Sequence, residues 1–206
     1  MDGRDQDSGT GMRVDGRRNR QQLMHAAQQV FAAQGTGASL REVARTAGVN
    51  IATLYRHFPT REALLEALLS EGFDRLAARA RELAANSDPA AGLWAWTRTL
   101  VDALSWYDGL PDSVSEALRE PDSPLHDGCE RLRASASELL DRAQKSGQVR
   151  SDLRIDELLA TANAAAWLAR PAADSALDSE RFLTLFVEGL AARHPDNDVV
   201  QLDSVS

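Results

Sequence analysis

Between Asn50 and Phe58 the side chains divide at helical spacing into two sets with different chemistry. Leu54 and Phe58 point one way, into a core. Ile51, Ala52, Thr53, Tyr55 and His57 point the other way, forming a short, mixed face rich in hydrogen-bonding groups. Such a face suits a helix lying in the major groove of double-stranded DNA, its N-terminal residues at the base edges and its C-terminal residues near phosphates. The same pattern would serve a small helical hairpin that merely packs. The chemistry on offer is recognition, not catalysis. There is no glycine-rich phosphate loop, no H-E-x-x-H and no nucleophile elbow. The four histidines (25, 57, 126 and 194) are scattered and have no sequence-local metal partner, so neither a metal nor a cofactor is expected. The lone Cys129 excludes an intramolecular disulfide and a Cys-based zinc site, and reads as a small buried residue.

The elements that must hold this face are legible around it. In residues 39–58, SLREVARTAGVNIATLYRHF, Ser39 caps a first helix and Glu42, three residues on, completes a capping box. Leu40, Val43, Ala44 and Ala47 make its apolar face. Gly48 supplies a bend that requires a left-handed backbone. Val49 plugs the gap and Asn50 caps the second helix. Upstream, Leu23, Ala26, Ala27, Val30 and Phe31 mark a helix over 17–34 that Gly35 ends. Downstream, Thr60 caps a helix over 61–85 with a stripe of Leu64, Leu65, Leu68, Leu69, Phe73, Leu76 and Leu83, in which Gly72 is a weak point only. Residues 1–16 are Gly/Asp/Arg/Ser-rich without apolar period and read as a disordered arm. Arg13 in the arm, with Arg17, Arg18 and Arg20 just after it, serve equally as a DNA-touching cluster or a solvated tail.

Net charge first argues against a DNA partner, being -8 over 206 residues. It is unevenly spread. Residues 1–61 hold nine Arg against five acids, +4, and residues 62–206 hold 14 Lys/Arg against 26 Asp/Glu, -12. Phosphate binding depends on the local excess, and an acidic remainder discourages non-specific adhesion. Hydrophobic content of 43% and a mean hydropathy of -0.36, with no apolar run near ~20 residues and no signal-peptide core, point to a cytoplasmic protein without membrane partners.

Past Asp88-Pro89 the chain continues helical. A tryptophan-rich helix should end near Gly109. A short segment follows Pro111, and Pro121 and Pro124 break it. A helix from Leu125 to about Ser146 is stopped by Gly147, one over 157–170 is capped by Asp156, and a last helix is capped by Ser179. The fold class is all-α: an N-terminal three-helix helix-turn-helix domain (17–62), a C-terminal helical domain (63–195) and a flexible tail (196–206).

The run AAQQVFAAQGTGASLREVARTAGVNIATLYRHFPTREALLEALL resembles the N-terminal domain of the TetR/AcrR family of bacterial transcriptional regulators, over roughly 17–69. The resemblance implies a homodimer that binds operator DNA, usually represses, and releases DNA when a small molecule enters the C-terminal domain. By position, Tyr55 and His57 match family phosphate contacts; Arg61 stands where a Lys is usual, also near phosphate. Ser39 and Arg41 match the phosphate-facing start of the preceding helix, Ile51, Ala52 and Thr53 match groove-facing positions, and the cap Asn50 is counted with the DNA-binding set. His57 can equally cap the recognition helix, and Tyr55 can pack. LLDRAQKSGQVRSDLRIDELLA further resembles a subgroup with an SbtR-like C-terminal domain.

Trp94, Trp96, Trp106, Tyr107, His126, Trp167 and Phe182 are candidates to line a pocket for an unknown effector, although an aromatic stripe at helical spacing also makes plain core. Trp94 and Trp96 lie about 200° apart on a helix, so both cannot face it. Leu159, Ala162 and Ala166, with Phe182, Phe186 and Leu190, are candidates for a four-helix dimer interface, against packing within one subunit. A two-fold protein would match half-sites about 34 Å apart. The function expected is a ligand-released, nucleoid-bound repressor. An activator on the same fold is the alternative, and a helical adaptor or enzyme the more distant ones.

Overall fold

The computed structural model describes residues 8–86, 88–105, 111–169 and 179–190. Its helices, in chain order, are α1 (Ser8–Gln34), α2 (Leu40–Thr46), α3 (Ile51–His57), α4 (Arg61–Asn86), α5 (Pro89–Leu104), α6 (Asp112–Ala117), α7 (Pro124–Lys145), α8 (Ile155–Leu168) and α9 (Ser179–Leu190). No strand occurs among the described residues. The chain is all-α, with a helix-turn-helix head followed by a larger helical body.

The head forms because α1 buries Leu23, Ala26, Ala27, Val30 and Phe31 against Leu40, Val43, Leu54 and Phe58. From it α4 runs unbroken for 26 residues, about 39 Å at the usual rise. Leu64, Leu65 and Leu68 near its start are fully buried, and Leu76, Ala80 and Leu83 continue the stripe into the body. There α4 packs on α5, α6 and α7. At Gly128 the α7 backbone comes so near α4 that an added Cβ would lie 3.2 Å from Phe73 Cδ2. Trp96 is wholly buried behind α4 and donates its indole N–H to the Leu76 carbonyl at 3.0 Å, which satisfies that buried donor. Trp94, as its angular offset requires, is half-buried.

Several boundaries depart from expectation. Helix α1 begins at Ser8, so residues 8–16 are helical and only 1–7 of the expected arm lie outside the described residues. A helix anchored by packing over 23–31 extends upstream at one hydrogen bond per added residue, which composition alone does not register. The reciprocal half of the Ser39–Glu42 capping box is replaced: Glu42 pairs with Arg45 at 3.4 Å. Helix α5 ends at Leu104, short of Gly109, and 106–110 are outside the described residues. Helix α8 starts at Ile155 with Arg154 in the capping position, its N–H bonded to the Glu157 carboxylate at 2.9 Å; Asp156, expected as the cap, lies in the first turn and pairs with Arg133. The connection before α8 is pinned by Gln144, whose amide donates to the Arg150 and Leu153 carbonyls at 3.0 and 2.9 Å.

Candidate nucleic-acid interface and the cleft behind it

The recognition face rests on two caps and one glycine. Ser39 Oγ accepts the Arg41 N–H at 3.3 Å and Asn50 Oδ1 accepts the Ala52 N–H at 2.9 Å, so both helices of the motif start on a satisfied donor. Between them Gly48 adopts φ +68°, the left-handed conformation expected of it. With Leu54 and Phe58 buried, Ala52, Tyr55 and Arg56 are exposed and Ile51, Thr53 and His57 half-buried. Tyr55, 49% exposed, is the large aromatic of this face. The carboxamide of Asn50 is committed to its cap, so it positions α3. Arg41 is exposed, as are Arg17 and Arg18 on α1.

Three side chains sit otherwise than their types suggest. Arg61 turns inward: its Nη1 donates to the Thr36 and Ala38 carbonyls, each at 2.6 Å, which clamps the start of α4 to the α1–α2 turn. A guanidinium so engaged sets the head on the long helix. His57 buries its Nε2, which has no hydrogen-bond partner among the described residues. Burial first, then the charges of Arg56 and Arg20, holds its imidazole below the usual range. That nitrogen lies under the surface, and the ring packs toward Phe58 with centroids 6.4 Å apart. Arg20 places its guanidinium carbon 5.0 Å from the Phe58 ring centre, a cation–π contact that fastens α1 to the end of α3.

A cleft of about 580 Å³ lies behind the head. One wall is α1, through His25, Gln28, Gln29 and Ala32. The opposite wall is α4, through Gly72, Phe73, Arg75, Leu76 and Arg79. Thr99, Leu100, Ala103 and Leu104 of α5 and Leu132 of α7 close it. The aromatic candidates lie elsewhere. Among the described residues Trp96 is core, Trp94 and Phe182 are half-buried against the core, and Trp167 is 55% exposed. His126 is half-buried, with Nδ1 3.0 Å from the Leu118 carbonyl oxygen. None of these five lines the cleft. Trp106 and Tyr107 lie outside the described residues. Aromatic content marked where large side chains pack, whereas the cleft opens where α4 and α1 carry small ones, at Gly72 and Ala32.

The dimer candidates divide as well. Ala162 and Ala166 are buried within the subunit, at 0% and 2% exposure, because α8 turns them onto α5 and α9. Leu159, Phe182 and Phe186 are half-buried, and the side chain of Leu190 is outside the described residues. The outer apolar surface of α8 and α9 is carried by Trp167 and Leu185, 55% and 52% exposed, with Ala160 and Ala164 beside them. Alanine on both sides of α8 concealed which side faced inward. Among the described residues no cluster of His, Cys, Asp and Glu could hold a metal ion, and no helix is long and apolar enough to cross a membrane.

Comparison with known proteins accounts for both parts of the chain. Residues 23–68 match the family of bacterial regulatory proteins of the tetR type, and residues 88–192 match the C-terminal domain of SbtR-like transcriptional regulators. The chain is 27% identical over 188 residues to the HTH-type transcriptional repressor KstR2 of Rhodococcus jostii (strain RHA1), covering 85% of this chain and 92% of that one. Its fold is similar to that of a TetR transcriptional regulator from Streptomyces coelicolor (TM-score 0.67, 34% identity, 85% of this chain and 99% of the other). It also resembles a TetR regulator from Mycobacterium vanbaalenii (TM-score 0.61, 30% identity, 87% and 99%). The exposed face of α3, carried on a capped two-helix motif and joined to a helical body of matching type, is that of a DNA-binding transcriptional regulator, and the chain belongs to the TetR family.

Proposed function

We propose that the protein acts as a homodimeric repressor that reads a palindromic operator and leaves it when a small molecule binds. The observation carrying this reading is the exposed α3 face, Ala52 and Tyr55 with half-buried Ile51 and Thr53, held clear of the core by Leu54 and Phe58. A helix with its side chains is about 10–12 Å across, which fits a major groove about 12 Å wide. Ala52 and Thr53 meet base edges; Ser39, Arg41 and Tyr55 meet phosphates.

Dimerisation is supported by Trp167 and Leu185, which expose large apolar side chains on the packed helices α8 and α9 in a body otherwise rich in charge. Two copies joined there present two α3 helices to successive grooves. Release by a ligand is supported by the cleft, whose volume falls within the range of small-molecule sites, roughly 300–1,000 Å³. Repression is the sign carried by the name of the R. jostii relative. The site of action is the chromosome in the cytoplasm.

Selection of bound duplexes from a random pool, followed by anisotropy titration of the winner at several salt concentrations, tests the reading. A palindromic winner bound by two protomers, with affinity falling steeply as salt rises, is expected. Enrichment of nothing above bulk DNA would overturn it. Transcription from a promoter carrying the selected site then separates a repressor from an activator.

A further inference from the structure

We propose that the cleft between α1 and the α4–α5 pair is the effector site and that its ligand is an apolar carboxylate, a hydrocarbon body with one anionic end. The inference depends on the ligand-release reading for its effect on DNA, not for binding itself. The interior is hydrocarbon: Phe73, Leu76, Leu100, Ala103, Leu104 and Leu132. Burying such a surface against a ligand of like kind gains about 25 cal/mol per Å². The charged lining groups are of one sign. Arg75 and Arg79, one helical turn apart on α4, are both at this wall, and no Asp or Glu is among the lining residues. From the α1 side, Gln28, Gln29 and His25 add hydrogen-bonding groups, Gln29 Nε2 lying 3.1 Å from His25 Nε2.

The two guanidiniums are not saturated by their acidic neighbours. Arg75 pairs through Nη1 with Glu71 and Arg79 through Nη1 with Glu82, each at 2.8 Å, and all four side chains are about half exposed. Exposed pairs of this kind hold weakly. A guanidinium has five N–H donors, so edges remain for a carboxylate, which it meets bidentately. A cationic ligand would be repelled by the same pair, and a neutral one would leave them unused. A second hollow, lined by Gln21, Met24 and Glu71 together with His25, Gln28 and Arg75, adjoins the first through the three shared residues. It extends the groove along α1 toward Arg20 and the head.

The position of the cleft gives the ligand a handle on DNA affinity. A molecule seated there touches α1, which belongs to the head, and α4 and α5, which belong to the body. It favours whichever separation of α1 from α4 keeps the cleft open. Operator DNA favours one orientation of the paired heads, so the two compete through that separation, and the coupling is reciprocal.

Calorimetric titration of the full chain with octanoate and decanoate, and with octan-1-ol and decan-1-ol, tests the assignment. The acids should bind about ten-fold or more tighter than the alcohols of equal length, with decanoate ahead of octanoate. The double variant Arg75→Gln/Arg79→Gln should erase the advantage of the acid while leaving the alcohols unchanged. Ala32→Trp, at an exposed position on the α1 wall, should weaken the acids about ten-fold or more while circular dichroism and the melting curve stay those of the parent. Equal affinity of acid and alcohol, no binding by either acid, or undiminished binding by a folded Ala32→Trp variant would each overturn the proposal. Anisotropy with the selected duplex keeps the two readings apart. If decanoate binds in the cleft and operator affinity does not change, ligand release fails for that class and the site stands. If another compound releases DNA equally from the parent and from Ala32→Trp, release stands and this site fails.

Discussion

Arg61 and Arg41 are both arginines at the edge of the head, yet one is bonded inward and the other is exposed. Arg61 donates to two backbone carbonyls of the α1–α2 turn, and charged hydrogen bonds of this kind contribute more than neutral ones. Arg61→Gln is expected to lower the unfolding free energy by about 2–3 kcal/mol in urea denaturation. Arg41→Gln, at an exposed side chain, should change stability by less than about 0.5 kcal/mol. It should instead weaken DNA binding on all sequences and reduce the salt slope by about one. If Arg61→Gln leaves the melt unchanged and weakens DNA binding alone, the clamp is not its role. His57 has a signature in pH. Burial and the charges of Arg56 and Arg20 hold its imidazole down, so the folded chain binds fewer protons than the unfolded one between that depressed value and about 6.5. Stability contributed here rises with pH across that window and is lost as pH falls through it. The melting temperature of the parent should therefore drop relative to that of His57→Gln between pH 7 and pH 5, and parallel curves would assign the acid sensitivity to other groups.

At the scale of elements, the joint between α2 and α3 depends on backbone more than on packing. An added Cβ at Gly48 meets nothing within 4 Å, so the cost of Gly48→Ala is the left-handed φ alone, about 1–2 kcal/mol. Gly48→Asn should lose less, because Asn tolerates that conformation. Denaturant midpoints of the two variants check the order, and equal midpoints would mean the turn relaxes. Gly128 makes the opposite case: there the obstacle is Phe73 on α4, not the backbone of α7 itself. The caps at Ser39 and Asn50 and the left-handed turn could all be read from residues a few positions apart, since a cap or turn is satisfied locally. The capping box failed because Glu42 had a second candidate, Arg45, on the next turn of the same helix, and periodicity does not rank the two.

For the molecule as a whole, the proposed dimer depends on a surface that alanine-rich α8 conceals. Substituting Trp167→Glu together with Leu185→Glu should give a monomer of 22.4 kDa by sedimentation velocity with an unchanged circular dichroism spectrum. Operator affinity should fall with it, because a single head loses its tethered partner and the effective concentration that tether supplies. A dimer that survives both charges would place the two-fold contact elsewhere.

The helical class, the order of helices, the head and the division of α3 into a buried and an outward set were all written in local chemistry: caps, glycines with a left-handed role, and apolar residues three and four apart. Family membership followed from the same local runs. What folding alone could disclose was which long-range partners each side chain would find. Arg61 reaches carbonyls 25 and 23 residues away. Helix α8 carries alanine on its inward and its outward side alike, so only packing on α5 and α9 selected Ala162 and Ala166 as inward and left Trp167 outward. The cleft is a space between four helices, and a space has no residue pattern of its own. Gly72 and Ala32, far apart in the chain, come together only as parts of its opposite walls.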